Sequence, residues 1–261
     1  MSTSQPTTMT AIRVSKFGGP EVLELKTIPI PKLSPNQVLI RLHAAGVNPV
    51  ETYMRSGNYA RLPTLPWTPG NDGAGVIVAV YRPPSSSRSS SRSSSPTPSL
   101  SSATKSTSPE QKNVSPSAPS TPSTSQNIKN VKNIKNTHPT PSSPPPSLSS
   151  ASCIKIGSKV WLSGSVTGTY AQYCVCTTNQ VHPLPDSIDS AQGAAIGVGY
   201  RTAYRALFIR AKVQAGDIVL IHGASGGVGI AAVQLAAAHG CIVYGTAGTE
   251  EGMKLILEQG W

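Results

Sequence analysis

The residues best suited to chemistry are the run His222-Gly223-Ala224-Ser225-Gly226-Gly227-Val228-Gly229. Glycines at this spacing let a backbone come close to a pyrophosphate, and the helix that follows points its unpaired amides and the positive end of its dipole at the phosphates. Gly226 and Gly227 suit the close approach, and Gly229 suits tight packing of helix on strand. Ala224 stands where the simple dinucleotide fingerprint has its first glycine. An acidic residue about twenty positions further on would hold ribose hydroxyls in an NAD site. Here the corresponding stretch is Tyr244-Gly245-Thr246-Ala247-Gly248, without a carboxylate, so a 2′-phosphate is not repelled and NADP is preferred over NAD. The alternative is that Glu250 or Glu251 takes the ribose, although acids in a first helical turn also simply favour the dipole.

Such a turn works only between a strand and a helix. Asp217 to His222 reads as a buried strand, Gly229 to Ala238 as an alanine-rich helix with Gly240 as its cap, Cys241 to Tyr244 as a second strand and Glu250 to Glu258 as a further helix. Upstream, Asp189 with Gln192 forms a capping-box pattern for a helix running through Tyr204 and Leu207. Short strands are expected at Ala11 to Val14, Val22 to Lys26, Val38 to Ala45 and Gly75 to Val80, with later partners at Lys159 to Leu162 and Tyr170 to Val175.

Residues 82 to 152 differ in kind. They contain no Phe, Tyr or Trp, hold 13 of the 24 prolines, and carry eight Lys or Arg against one Glu, so seven of the eleven net positive charges lie there. Such a segment cannot bury enough apolar area to offset ~1–2 kcal/mol of backbone ordering per residue, so disorder is expected, as an insertion between two strands. Its Ser/Arg repeat leaves room for weak RNA binding, although charge runs in such loops are usually only solvated. Without it the chain is mildly basic. Four cysteines and no signal-like N-terminus fit reduced thiols in the cytoplasm, and no apolar run approaches the ~20 residues of a membrane span.

Several motifs in order resemble one family: Gly18-Gly19-Pro20-Glu21-Val22-Leu23, Gly46-Val47-Asn48-Pro49-Val50-Glu51-Thr52-Tyr53, Pro69-Gly70, Gly193-Ala194-Ala195-Ile196-Gly197, His222 to Gly229, and Gly245-Thr246-Ala247-Gly248-Thr249-Glu250-Glu251-Gly252. Across residues 10 to 80 and 154 to 260 the chain resembles the zeta-crystallin type of NADPH:quinone oxidoreductases, zinc-free members of the medium-chain dehydrogenase/reductase superfamily. The resemblance implies an α/β protein with a GroES-like β-rich domain (10–81 and 153–190, after a flexible tail over 1–9), followed by an incomplete Rossmann-type doubly wound domain (191–261), with the active site in the cleft between them. It implies NADPH as cofactor, a small quinone or enone as substrate, and a homo-oligomer when full length. Tyr53 would lie beside the nicotinamide and the Asn48 amide would line the acceptor pocket; these are the two catalytic candidates. Ser225, Gly226, Gly227, Val228, Gly229 and Gly245, together with Tyr53, would contact the cofactor.

Zinc-dependent relatives carry a Cys after the Gly-Val pair and a Gly-His-Glu motif further on, where this chain has Asn48 and Gly70-Asn71-Asp72. No metal is therefore expected. Conjugated carbonyls stabilise the charge that a transferred hydride brings and so suit zinc-free chemistry. His43, His182, His222 and His239 are expected to be structural. Relatives continue past the counterpart of Gly260, so the nucleotide-binding part is expected to be truncated. Two readings compete with that of a reductase: a non-catalytic crystallin-like or RNA-binding relative, and an inactive truncated product.

Overall fold

In the computed structural model, residues 6–83, 132–134 and 155–260 are described. Apart from residues 82, 83 and Lys132–Ile134, the expected disordered insertion over 82–152 lies outside them, as do most of the flexible tail and Cys153.

The β-rich part is a five-stranded antiparallel sheet of β3 (Gln37–Ala45), β4 (Gly73–Val80), β6 (Lys159–Leu162), β7 (Tyr173–Thr177) and β8 (Val181–Pro183), in the order β7-β3-β4-β6-β8. A hairpin of β1 (Thr8–Arg13) and β2 (Glu24–Pro29) stands beside it, tied by bridges from Ala11 to Ala171 and from Val14 to Trp67. Val38, Ile40, Ile77, Val160, Leu162, Cys174, Cys176 and Val181 fill one core. Each buried Val, Leu or Ile side chain of this kind contributes about 1.5–3 kcal/mol. The Cys174 and Cys176 sulfurs, 3.8 Å apart, belong to this core. Their shared hydrogen bond and burial push the Cys174 thiol up, and both fully buried side chains pack as small apolar groups.

A short helix, α1 (Pro49–Arg55), follows β3. Helix α2 (Ser190–Tyr204) starts at the expected capping box: the Gln192 amide donates to Asp189 Oδ1 at 2.8 Å and the Asp189 amide to Gln192 Oε1 at 3.0 Å. Small residues on α2 allow it to lie flat on the antiparallel sheet. A Cβ on Gly193 would stand 2.8 Å from Leu184 and 3.0 Å from Ala74. Ala74, Leu184 and Ala194 form the apolar seam. Instead of continuing as an α-helix through Leu207, the chain passes into a seven-residue π-helix, Arg205–Ala211, closed by Lys212 in the left-handed conformation.

The expected βαβ unit is present as β9 (Ile218–Ile221), α3 (Gly227–Ala238) and β10 (Ile242–Gly245), followed by α4 (Glu250–Gly260). β9 and β10 pair in parallel, and β5 (Lys132–Ile134) joins β10 antiparallel, giving the order β5-β10-β9. Val219, Ile221 and Val243 face a core built with Ala231, Val233, Ala236 and Ile256 of the helices. Ile218 and Leu220, on the other face of β9, are 71% and 54% exposed. A purely apolar strand in a parallel pair reads as buried on both faces. Among the described residues only one face of β9 is covered.

Candidate functional site

The glycine turn is held by the end of β10. The Gly223 amide donates to Thr246 Oγ1 at 3.2 Å, the Ala224 amide to the Thr246 carbonyl at 2.8 Å, and the Thr246 amide returns to the Ile221 carbonyl at 3.0 Å. Gly223 has φ +61°, which glycine adopts without strain. The Gly226 amide closes the turn on the Gly223 carbonyl at 3.0 Å. Gly226 is the N-cap of α3 and the Ile230 amide is bonded to its carbonyl at 2.8 Å, so the amides of Gly227, Val228 and Gly229 are the helix's unpaired donors.

The three central glycines divide into two roles. A Cβ on Gly227 would meet nothing within 4 Å, and one on Gly226 only the Gly223 carbonyl oxygen at 3.4 Å. The space before these residues is therefore open to a ligand, and a cradle of backbone amides with no acidic residue in the first helical turn fits an anion. A Cβ on Gly229 would overlap the Gly223 carbonyl oxygen and lie 2.7 Å from Ala224 Cα, so Gly229 lets the helix pack on the turn. Val228, 42% exposed, sits at the open mouth. Ser225 and Gly245 lie behind it. A Cβ on Gly252 would come within 3.0 Å of Ser225 Oγ, and a Cβ on Gly245 within 3.0 Å of both Ala224 and Ile256. Gly245 thus packs strand end against turn, and the hydrogen bonds come from Thr246, a residue the sequence reading did not single out. His222 Nδ1 is 3.4 Å from the Thr246 hydroxyl.

The two other candidates lie on the β-rich part. Asn48 is the N-cap of α1, and its Nδ2 donates to Asp72 Oδ2 at 3.0 Å. Tyr53, on α1, is 53% exposed. Beneath Asn48 the buried Glu51 carboxylate accepts from the Asn48 amide (2.8 Å), the Asn71 amide (3.1 Å) and the Tyr170 hydroxyl (2.6 Å). Burial, then the bond to Glu51 and its charge, push the Tyr170 hydroxyl up, so it remains a donor. Replacing Tyr170 by Phe should cost about 1–2 kcal/mol in a denaturant titration, because it strips a hydrogen bond from a buried charge. An unchanged midpoint would remove Glu51 from the elements that hold this loop.

Asp72 joins the two halves. Besides Asn48 it accepts the Val198 amide of α2 at 3.0 and 2.8 Å, although the two residues are 126 positions apart. The next residue along, Gly199, lies against the phosphate turn, since a Cβ there would be 3.5 Å from the Gly227 carbonyl oxygen. A continuous line therefore runs from Asn48 through Asp72, Val198 and Gly199 to Gly227. Gly197 is small because a Cβ would run into the Asp72 carboxylate and stand 3.0 Å from the Leu162 carbonyl oxygen. Burial raises the Asp72 pKa, and the Val198 amide, the Asn48 amide and the Arg201 charge partly offset this. Asn48 and Asp72, two of the positions that the sequence comparison set against the motifs of zinc-dependent relatives, are thus bonded to each other as amide and carboxylate. Among the described residues no group of three His, Cys, Asp or Glu is placed to hold a metal ion.

His182 stacks on Trp161 with centroids 4.4 Å apart and touches the Ser163 hydroxyl at 2.9 Å. His239 meets Phe208 edge-on at 4.9 Å. Both serve packing. No helix among the described residues is long and apolar enough to cross a membrane.

Residues 34–90 match the alcohol dehydrogenase GroES-like domain. Human quinone oxidoreductase is 42% identical over 255 residues, covering 97% of this chain and 56% of its own length. The chain thus spans about half the length of the relatives it matches. Among solved structures, a Pseudomonas syringae quinone oxidoreductase (TM-score 0.63, 26% identity, 97% of this chain and 57% of the other) and a mycobacterial protein in complex with NADPH (TM-score 0.64, 26% identity, the same coverage) share the fold. Along nearly its whole length the chain is similar to quinone oxidoreductases, and the match to the GroES-like domain and the fold shared with a protein that binds NADPH agree with that likeness.

Proposed function

We propose that the chain supplies the acceptor loop and the phosphate-binding half of a zinc-independent, NADPH-dependent reductase of quinones or conjugated carbonyl compounds. The observation that carries the reading is the turn, where open space before Gly226 and Gly227 meets the unpaired amides of α3. Those amides would hold the pyrophosphate. No carboxylate stands on Tyr244 to Gly248, and the Thr246 side chain is bonded to Gly223, so the end of β10 presents no fixed negative charge to a 2′-phosphate. When bound, the nicotinamide supplies a hydride from its C4. Asn48, fixed by Asp72 and Glu51, would orient an acceptor carbonyl, and the exposed Tyr53 ring would border the nicotinamide. The Asn48–Asp72 bond supports a metal-free reading, in which charge developing on the acceptor would be carried by its own conjugation.

Loss of NADPH absorbance in the presence of 1,4-naphthoquinone tests this reading, with NADH and a chelator in parallel. NADPH should be used at least about tenfold more efficiently than NADH, the size expected when one phosphate contact is gained without repulsion. A chelator should change nothing. Equal use of NADH, or a rate lost to chelation and restored by zinc, would overturn the cofactor or the metal-free assignment respectively.

A further inference from the structure

One cavity among the described residues is lined by no residue of the glycine turn. It is an open groove of about 600 Å³ along α2 and the start of the π-helix, walled by the aromatic rings of Trp161, Tyr200 and Tyr204 and by Leu235 of α3, with Arg201 and Arg205 at its rim. Its size is that of a small-molecule pocket.

Its walls are set before any ligand arrives. Trp161 is backed by the stacked His182 ring, the Tyr200 hydroxyl is bonded to Gln234 Oε1, and Tyr204 leans on Phe208 with centroids 5.0 Å apart. Arg201 is anchored by donation to the Ser163 carbonyl and lies within the field of Asp72, whose charge it helps to maintain. Among the described residues neither Arg201 nor Arg205 has a carboxylate within salt-bridge distance; the ion pairs are Lys26–Glu24 and Lys159–Asp186. The change to π-helical bonding begins at Arg205, and a π-helical segment of this kind often marks a functional position.

Flat apolar rings suit a planar ring system, and two guanidinium groups at one rim suit an anionic substituent on it, since guanidinium pairs with carboxylate, sulfonate or phosphate through two parallel hydrogen bonds. We infer that this groove is a binding site for planar aromatic compounds bearing an acidic group, with Arg201 and Arg205 selecting the anion. The site is separate from the phosphate cradle and does not depend on the chain being a reductase.

Calorimetry with anthraquinone-2-sulfonate and with the neutral 2-(hydroxymethyl)anthraquinone tests it on the full chain. The sulfonate should bind at least about tenfold more tightly, the worth of one charge-assisted contact. Arg205→Gln, at an exposed position, should leave the fold intact by circular dichroism and reduce that preference, and the Arg201→Gln/Arg205→Gln pair should abolish it while the neutral ring still binds. Quenching of tryptophan fluorescence by the sulfonate should fall in Trp161→Phe, which distinguishes this groove from the surroundings of Trp67 and Trp261. Equal affinity for the two ligands, a preference that survives the double variant, or no binding of either would overturn the inference. NADPH binding on the same samples reports separately on the phosphate cradle.

Discussion

Replacing Asp72 by Ala should lower stability by about 2–4 kcal/mol, the cost of leaving buried donors unpaired in more than one element. The side chain is 3% exposed and is the common acceptor of the Val198 backbone amide and the Asn48 side-chain Nδ2. Its removal orphans both and opens a small void between α2 and the antiparallel sheet. The effect should extend beyond stability: because Gly199, next to Val198, lies on Gly227, hydrogen exchange should quicken at the start of α3 as well as in α2. Asp72→Asn separates charge from hydrogen bonding. The folded carboxyl titrates above its ordinary value of 3.8, chiefly because burial disfavours its charge. In that window the folded state holds more protons than the unfolded one, so Asp72's contribution to stability is fully present below 3.8 and is lost as pH rises through the raised value. The Asn variant lacks this titration and should gain on the parent over the same interval. If parent and Asn variant kept a constant difference in stability across that interval, Asp72 would not be ionising in a buried setting.

Gly229→Ala should have the second large effect. A single Cβ would overlap the Gly223 carbonyl oxygen and stand 2.7 and 2.8 Å from Ala224 Cα and carbonyl carbon, all backbone atoms of the turn. Neither partner can rotate away, so α3 must shift off β9, at a cost of about 1–3 kcal/mol typical of overpacking. The shift also moves the Gly227 and Val228 amides, so NADPH affinity should fall together with the melting temperature. Thermal melting with and without NADPH reads both, since a bound ligand raises the midpoint by mass action. A variant that melted like the parent and was equally stabilised by NADPH would show that this close approach has no energetic weight.

The elements around the turn were readable in the sequence because everything that defines them is local. Strand, glycines, alanine-rich helix and second strand lie within thirty residues of one another, and the Asp189–Gln192 capping box is a four-residue pattern. The antiparallel sheet was also visible in outline, although its boundaries moved: β7 is Tyr173–Thr177 where Tyr170 to Val175 was expected, and the helix α1 carrying Tyr53 was not read at all. The tie from Asn48 through Asp72 to Val198 was not legible. It joins groups 24 and 126 positions apart, and no residue type announces it. The nearest signal was Gly197, whose lack of a side chain follows from a carboxylate that only the folded chain brings to it. The passage from α2 into a π-helix, and the pairing of Lys132–Ile134 with β10 from within a Ser/Pro-rich stretch, depend on packing and carry no periodic pattern. Nor does the sequence show that Thr246, at a strand end marked only by its lack of a carboxylate, holds the turn through its hydroxyl and backbone.

A turn before α3 that cradles the pyrophosphate of NADPH is tested most directly by calorimetric titration of NADPH into the parent and into Gly226→Asp. Gly226 is the N-cap of α3 with an ordinary extended backbone (φ −79°, ψ 166°) and room for a Cβ. Aspartate is among the best N-cap residues, so the variant should fold and melt no lower than the parent. Its carboxylate would occupy the amides and the field meant for phosphate, so NADPH affinity should drop by at least about a hundredfold, as for like charges brought together. Full retention of NADPH binding by a folded Gly226→Asp would contradict the account.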